Sequence, residues 1–233
     1  MKKILADGAK KICVMLTEKQ LNQFEQYYEL LIEWNQKMNL TAITQPEEVV
    51  QKHFLDSLSC LQTGLFVENS RVIDVGTGAG FPSIPLKIAC PSLQMVLLDS
   101  LQKRLTFLEE VIDKLGLEEI TLLHARAEDA GQQEDWREQF DLAVARAVAP
   151  MPVLCELCLP FVRQGGHLVA MKGKLGEEEL HQSEGAISLL GGTTEQCFTT
   201  QIDSHMIISV KKTTKTPRQY PRKAGIPSKK PLS

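Results

Sequence analysis

No segment of this 233-residue chain reaches the roughly 20 uninterrupted apolar residues that a membrane-spanning helix needs. The best stretch, 143–162, is interrupted by Arg146, Glu156 and the prolines at 150, 152 and 160, so no membrane role is expected. A secretory leader is also missing: Asp7, Lys10 and Lys11 break up the residues that follow the basic start, and a cytoplasmic location is expected. Cys155 and Cys158 form a C-x-x-C without a second ligand pair. A metal or redox centre is therefore not expected, and both thiols read as core. The cysteines at 13, 60, 90 and 197 lie scattered in apolar segments, where reduced thiols are the default. Repeats and low-complexity runs are lacking. What is present, 43% apolar and 24% charged residues, excludes collagen, disorder and a disulfide scaffold, and suits one sizeable core with an appendage.

Acidic residues are absent from one end. From Lys211 onward there are eight basic residues and no acidic one, against 18 basic and 29 acidic residues in the rest. A basic tail on an acidic body points to a polyanion met at one place, or else to a solvated tail kept for solubility. Four prolines within that tail predict that it stays extended.

Thr17 and Gln20 make a capping box, and Leu21, Phe24, Tyr28, Leu31, Trp34 and Met38 follow at helical spacing. A second helix is expected from Pro46 through Leu58. After Gly64 the period changes. Short β-branched runs at 71–75, 95–99, 120–124, 140–145 and 167–171 alternate with helical patterns, among them 101–115 closed by Gly116, 132–138 and 153–161. This spacing calls for a parallel sheet covered on both faces. One more helix is expected over 175–190, and the runs 193–199 and 205–211 should pair as an antiparallel hairpin at the sheet edge. The expected organisation is a helical segment over 1–66, an α/β unit over 67–212 and a basic tail over 213–233.

In an open α/β sheet, ligands sit beyond the carboxyl ends of the strands where strand order reverses. The first strand ends in Asp74-Val75-Gly76-Thr77-Gly78-Ala79-Gly80-Phe81. A dinucleotide turn needs glycine where this chain has Phe81. The pattern after Asp74 is instead G-x-G-x-G (Gly76, Gly78, Gly80), the form seen in S-adenosylmethionine-dependent methyltransferases, where the turn cradles the amino-acid end of the cofactor. Asp99, at the end of the second strand, is placed to accept both ribose hydroxyls, or simply to favour a helix N-terminus. Past the third strand, Glu128 is an acceptor for the adenine amine with Ala127 offering backbone, or Glu128 and Asp129 cap a short helix.

The fourth strand ends in Ala145-Arg146-Ala147. Enzymes that methylate an exocyclic amine place an acceptor there to free the lone pair and take the proton. Here there is only a cation, Arg146, either an anchor for cofactor or RNA phosphate or one half of a structural ion pair. A ring nitrogen such as guanine N7 already has its lone pair in plane, so no general base is expected. His53 and Asp56, three residues apart, form a candidate polar patch. Lys172, at the fifth strand's end, is a candidate RNA contact, or an exposed strand-end lysine.

The blocks Asn39–Ile43, His53–Leu58, Asp74–Pro85, Leu98–Arg104, Ala145–Ala147 and Arg222–Pro231 together resemble the bacterial glucose-inhibited division protein B family of small-subunit ribosomal RNA methyltransferases. The resemblance spans nearly the whole chain. It implies an α/β fold of class I S-adenosylmethionine-dependent type, a Rossmann-like, mostly parallel seven-stranded sheet with helices on both faces and an N-terminal helical segment. It implies methylation of N7 of a guanine in 16S ribosomal RNA, with cofactor contacts at Gly76, Phe81, Ala127, Glu128 and Arg146. The expected partner is 16S rRNA or the small ribosomal subunit, met by Lys172, Arg218, Arg222, Lys223, Lys229 and Lys230, with the protein acting as a monomer. The competing readings are a nicotinamide-dependent oxidoreductase, which Phe81 opposes, and a non-catalytic ribosome-binding module, which the glycine turn opposes.

Overall fold

In the computed structural model, which describes residues 1–200, 202 and 205–232, seven strands form one sheet. They are β1 (Arg71–Val75), β2 (Gln94–Asp99), β3 (Ile120–His124), β4 (Phe140–Arg146), β5 (Val162–Lys172), β6 (Gly192–Thr199) and β7 (Met206–Lys212), in the order β3-β2-β1-β4-β5-β7-β6. The first five are parallel, while β7 runs antiparallel to both β5 and β6. Chain order reverses between β1 and β4, so the carboxyl ends of those strands flank the crevice where such sheets bind ligands.

Side chains alternate across the strands, and the two faces carry separate cores. Val72, Leu142 and Val144 enter one core together with α1 (Lys2–Lys11), α2 (Glu18–Asn35), α5 (Ser83–Ala89) and α6 (Gln102–Leu115). Ile73, Ala143 and Ala145 enter the other with α8 (Met151–Cys158) and α10 (Glu184–Leu189). The N-terminal helices therefore pack directly on the sheet. Helix α2 starts with both bonds of the expected capping box, and α6 ends at Gly116 in the left-handed conformation. Cys155 and Cys158 are fully buried, and burial pushes the Cys155 thiol up to about 12.

Four expectations are corrected. The helix entered at Pro46 is not uniform: α3 (Pro46–Val49) passes into a π-helical stretch, Val50–Leu55, then α4 (Asp56–Leu58) and a 3-10 turn, Ser59–Thr63. The expected helix over 132–138 is a run of turns after α7 (Ala127–Ala130), because its polar side chains bond to the tail. The expected helix over 175–190 is two, α9 (Gly176–Gln182) and α10, divided at Ser183, whose hydroxyl donates to Leu180 O at 2.7 Å.

The tail is the largest correction. It does not stay extended: Tyr220 is buried in the second core, Thr216 and Pro227 are buried, and the segment ends in α11 (Ile226–Lys229). Arg137 is the reason the backbone can turn there. Its guanidinium donates to the carbonyls of Thr216 at 2.8 Å and Tyr220 at 2.7 Å. Lys212 is buried as well, donating to Leu159 O, Val162 O and Thr216 Oγ1, and burial lowers its ammonium to about 8. Ser233, the final residue of the expected tail, lies outside the described residues.

Candidate active site

The turn after β1 is held to β2 by two backbone bonds, from Gly76 N and Thr77 N to Leu98 O, at 2.8 and 3.0 Å. Its glycines have different reasons to be there. A Cβ on Gly80 would lie 2.6 Å from Ile84 and 2.8 Å from Leu108, so helix packing requires that one. Gly78, at φ +60°, has nothing closer than 3.9 Å to such a Cβ, which leaves bare backbone facing open space. Tyr27 on α2 donates its hydroxyl to Ala79 O and so braces the turn from behind. The helical pattern pointed to Tyr28; Tyr27 is the buried one, and its role had no local signal.

Asp99 is almost fully buried. Its Oδ2 accepts from Gly78 N at 3.0 Å and from Arg104 Nη1 at 3.2 Å, and its Oδ1 accepts from Leu101 N at 2.9 Å. A carboxylate has about four acceptor sites, so one remains for a ligand beside these three bonds. Asp74, completely buried one strand away, accepts no hydrogen bond of normal geometry at either oxygen. Burial pushes its carboxyl up to about 7, against the nearby hydroxyls of Ser83 and Thr77, which bond each other at 3.0 Å. A completely buried carboxylate with no hydrogen bond of normal geometry, just before the glycine turn, is an unmet acceptor, and a ligand's ammonium group is a partner of the right charge.

From this turn an open cleft of about 320 Å³ runs past Asp99, Ser100 and Arg104 to Ala125, Arg126, Ala127 and Glu128, with Ala147 and Val148 opposite. Ala127 and Glu128 thus line this cleft. Glu128 also accepts a bond from Gly225 N of the tail, at 2.9 Å.

Arg146 turns toward the N-terminal helices. Its Nη1 donates to Asp56 Oδ2 and Lys52 O, both at 3.1 Å, and its guanidinium lies 4.8 Å from the Phe81 ring centroid. His53 packs on the same ring at 4.6 Å, and its Nε2 is 2.8 Å from Thr41 Oγ1. Burial first, then Arg146, lowers the His53 imidazole to about 4, so it is neutral at ordinary pH. His205 Nδ1 reaches Asp56 Oδ1 at 2.8 Å. The sequence reading put His53 with Asp56, and left Arg146 open as anchor or ion-pair partner. The structure shows the ion pair and brings in Phe81 and His205. The π-helical stretch sets this arrangement, because it re-aims His53 and Asp56 relative to a regular helix.

Two expected RNA contacts are engaged inside the protein. Lys172 donates to Ala149 O at 2.8 Å and pairs with Glu179 at 2.6 Å. Arg222 pairs with the fully buried Glu156 at 2.6 Å. Arg218, Lys223, Lys229 and Lys230 are exposed.

A seven-stranded sheet of this order, with a reversed β7 and a ligand cradle at the β1–β4 switch, defines a class I S-adenosylmethionine-dependent methyltransferase. A solved structure of MtNAS in complex with S-adenosylmethionine shares this fold, at TM-score 0.56 and 15% identity over 82% of this chain and 75% of that one. Sequence comparison is more specific. The chain belongs to the rRNA small subunit methyltransferase G family, whose model matches residues 20–207. It is 52% identical to Ribosomal RNA small subunit methyltransferase G of Alkaliphilus metalliredigens, over 99% of this chain and 98% of that protein. The protein of the same name from Thermoanaerobacter sp. is 51% identical over 98% and 97%.

Proposed function

We propose that this methyltransferase transfers a methyl group from S-adenosylmethionine to N7 of a guanine in 16S ribosomal RNA. The observation that carries the reading is the pairing of the open cradle at Gly78 with two buried carboxylates, Asp74 and Asp99. Asp74 takes the ammonium, Asp99 a ribose hydroxyl at its one remaining acceptor site, and the Ala127–Glu128 wall the adenine, while Gly76, Gly80 and Phe81 shape the turn. When bound, the cofactor supplies an electrophilic methyl group on a sulfonium. The chain's own residues align the acceptor and exclude water, a proximity effect that reaches about 7–11 kcal/mol when the reacting groups are well oriented. The last residues of β4 supply no carboxylate or amide, and the Asp56 carboxylate beside them is taken up by Arg146 and His205, which agrees with an acceptor that has no proton to lose. Neutral His53 and the Asp56-bound Arg146 form the floor on the acceptor side.

The substrate is the RNA or the small subunit carrying it. The exposed Arg218, Lys223, Lys229 and Lys230 are the phosphate contacts, with Arg222 holding the segment that carries them and Lys172 committed to Glu179 elsewhere. The protein acts as a monomer, without a metal, in the cytoplasm; no helix among the described residues is long and apolar enough to cross a membrane. The test is to incubate purified protein and tritiated S-adenosylmethionine with small subunits from cells that lack the protein, then map 7-methylguanosine in the RNA. Label at guanine N7 in 16S rRNA is expected. Label on an exocyclic amine, or none, overturns the reading.

A further inference from the structure

The tail carries the cations expected to meet RNA, and it also docks against a wall of the cleft. Residues 216–230 fold back as a strap over the turns that follow α7 and over α8, fastened at several points. Arg137 holds the carbonyls of Thr216 and Tyr220, and Gln132 Nε2 donates to Pro221 O at 2.6 Å. Arg222 bonds both oxygens of the buried Glu156, at 2.9 and 2.6 Å, and its Nη2 also reaches Lys230 O at 2.8 Å. The fit against the body is close: a Cβ on Gly131, the residue just past α7, would stand 3.0 Å from Pro221.

The last fastening is at the cleft itself. Glu128 belongs to the wall that faces the ligand, and its Oε1 accepts from Gly225 N at 2.9 Å. This bond fixes the rotation of the carboxylate and leaves Oε2, which takes no hydrogen bond among the described residues, as an acceptor. The 6-amino group of a purine donates to such an oxygen, whereas a 6-oxo oxygen in the same place can only accept and would face the carboxylate lone pair to lone pair.

We infer that the C-terminal strap is part of the cofactor site, with Arg222 and Gly225 acting as positioning residues that hold Glu128 as the acceptor for the adenine amine. The inference rests on the cofactor reading above and goes beyond it. The same segment presents its cations outward and supports the adenine wall from behind. Two consequences follow from linkage. Releasing the strap weakens the adenosyl ligand and erodes its preference over the inosyl analogue. Reciprocally, the ligand holds the strap down by the same factor.

The experiment uses the full chain and S-adenosylhomocysteine. Trypsin cleavage after the exposed Lys223 and Lys229 is timed with and without saturating ligand, with cleavage elsewhere in the chain as the internal reference. Calorimetry then compares S-adenosylhomocysteine with S-inosylhomocysteine on the wild-type protein, Arg222→Ala and Arg222→Lys. Saturating ligand is expected to slow strap cleavage about fivefold or more, and Arg222→Ala to lose affinity by a similar factor. The adenosyl preference should shrink in Arg222→Ala and be partly kept in Arg222→Lys. A general loosening of the fold would weaken both ligands equally and leave the preference where it was, which overturns the positioning role. Should Arg222→Ala not fold, the wild-type protease comparison decides alone: equal strap cleavage with and without bound ligand overturns the inference. Failure of the wild-type protein to bind S-adenosylhomocysteine at all would instead remove the cofactor reading on which the inference stands.

Discussion

Asp56 and Arg146 are 90 residues apart in sequence and 3.1 Å apart in space, where they join the π-helical region to the end of β4. Asp56 is completely buried and also receives His205, so three separate parts of the chain meet on one carboxylate. Removing one partner of a buried pair leaves the other charge uncompensated, at about 3–5 kcal/mol. Asp56→Ala is expected to lose stability of that order in urea unfolding, and to lose methylation through the displaced Arg146. A loss below about 1 kcal/mol would show that water or another acceptor replaces the carboxylate.

The glycine turn should divide by position. Gly80→Ala forces a methyl group against Ile84 and Leu108, and overpacking of this kind costs about 1–3 kcal/mol of stability. Gly78→Val has space for its side chain but strains the backbone at φ +60°, so a stability loss of about 1–3 kcal/mol should accompany weaker S-adenosylhomocysteine binding, read by calorimetry at a temperature where the variant stays folded. Asp99→Ala should cost about 1.5–3 kcal/mol of binding, the range for a hydrogen bond to a charged group. Unchanged affinity in both Gly78→Val and Asp99→Ala would remove the assignment.

Asp74 gives a pH dependence with a definite sign. Its carboxyl is protonated below about 7 in the folded protein, and a ligand ammonium favours the ionised form. Affinity for S-adenosylhomocysteine should therefore rise from pH 6 to 8, with proton release on binding. Asp74→Asn should flatten the curve. Without ligand the stability runs the opposite way. Between the ordinary value of 3.8 and about 7 the folded state keeps a proton that the unfolded chain has released, so stability falls as pH rises through that window.

At saturating cofactor, the single-turnover methylation rate should be flat from about pH 6 to 9, because the acceptor needs no base. His53, neutral throughout that range, should not show in the profile. A tenfold rise per pH unit that vanishes with one carboxylate or histidine would point to an amine or hydroxyl acceptor.

RNA affinity should depend on salt through the four exposed strap cations. If Arg218, Lys223, Lys229 and Lys230 each meet one phosphate, log affinity falls against log salt with a slope of about −3, at roughly −0.7 per contact on single strands. Replacing all four by glutamine should flatten the slope and leave the melting temperature nearly unchanged, since none of them is buried. An unaltered slope would move the RNA surface elsewhere.

Local signals were enough for much of this protein. Strands β1 and β3 fall on the residues that β-branched content marked, and the glycine turn and Asp99 follow from spacing alone. What stayed hidden depends on partners far away in the chain. Gln132, Arg137 and Glu138 lie in a stretch that reads as helical, yet their side chains are committed to tail backbone up to 89 residues on. Charge composition reads the tail as a polyanion contact or a solvated segment, and neither reading registers the buried carboxylate of Glu156 or the carbonyls that receive Lys212. Tyr27 and Tyr28 are adjacent and chemically alike, and only the packed turn at Ala79 separates their roles.

The arrangement of the two cores also has a bearing on synthesis. Glu156 leaves the ribosome 66 residues before Arg222. Until the strap arrives, the second face of the sheet lacks Tyr220 and carries a carboxylate with no counter-charge in a site built to be dry. The first face already has α1, α2, α5 and α6 by then. A nascent chain would thus close one side of its sheet well ahead of the other, and stalling within that interval would expose a half-covered sheet to whatever chaperone or protease is near.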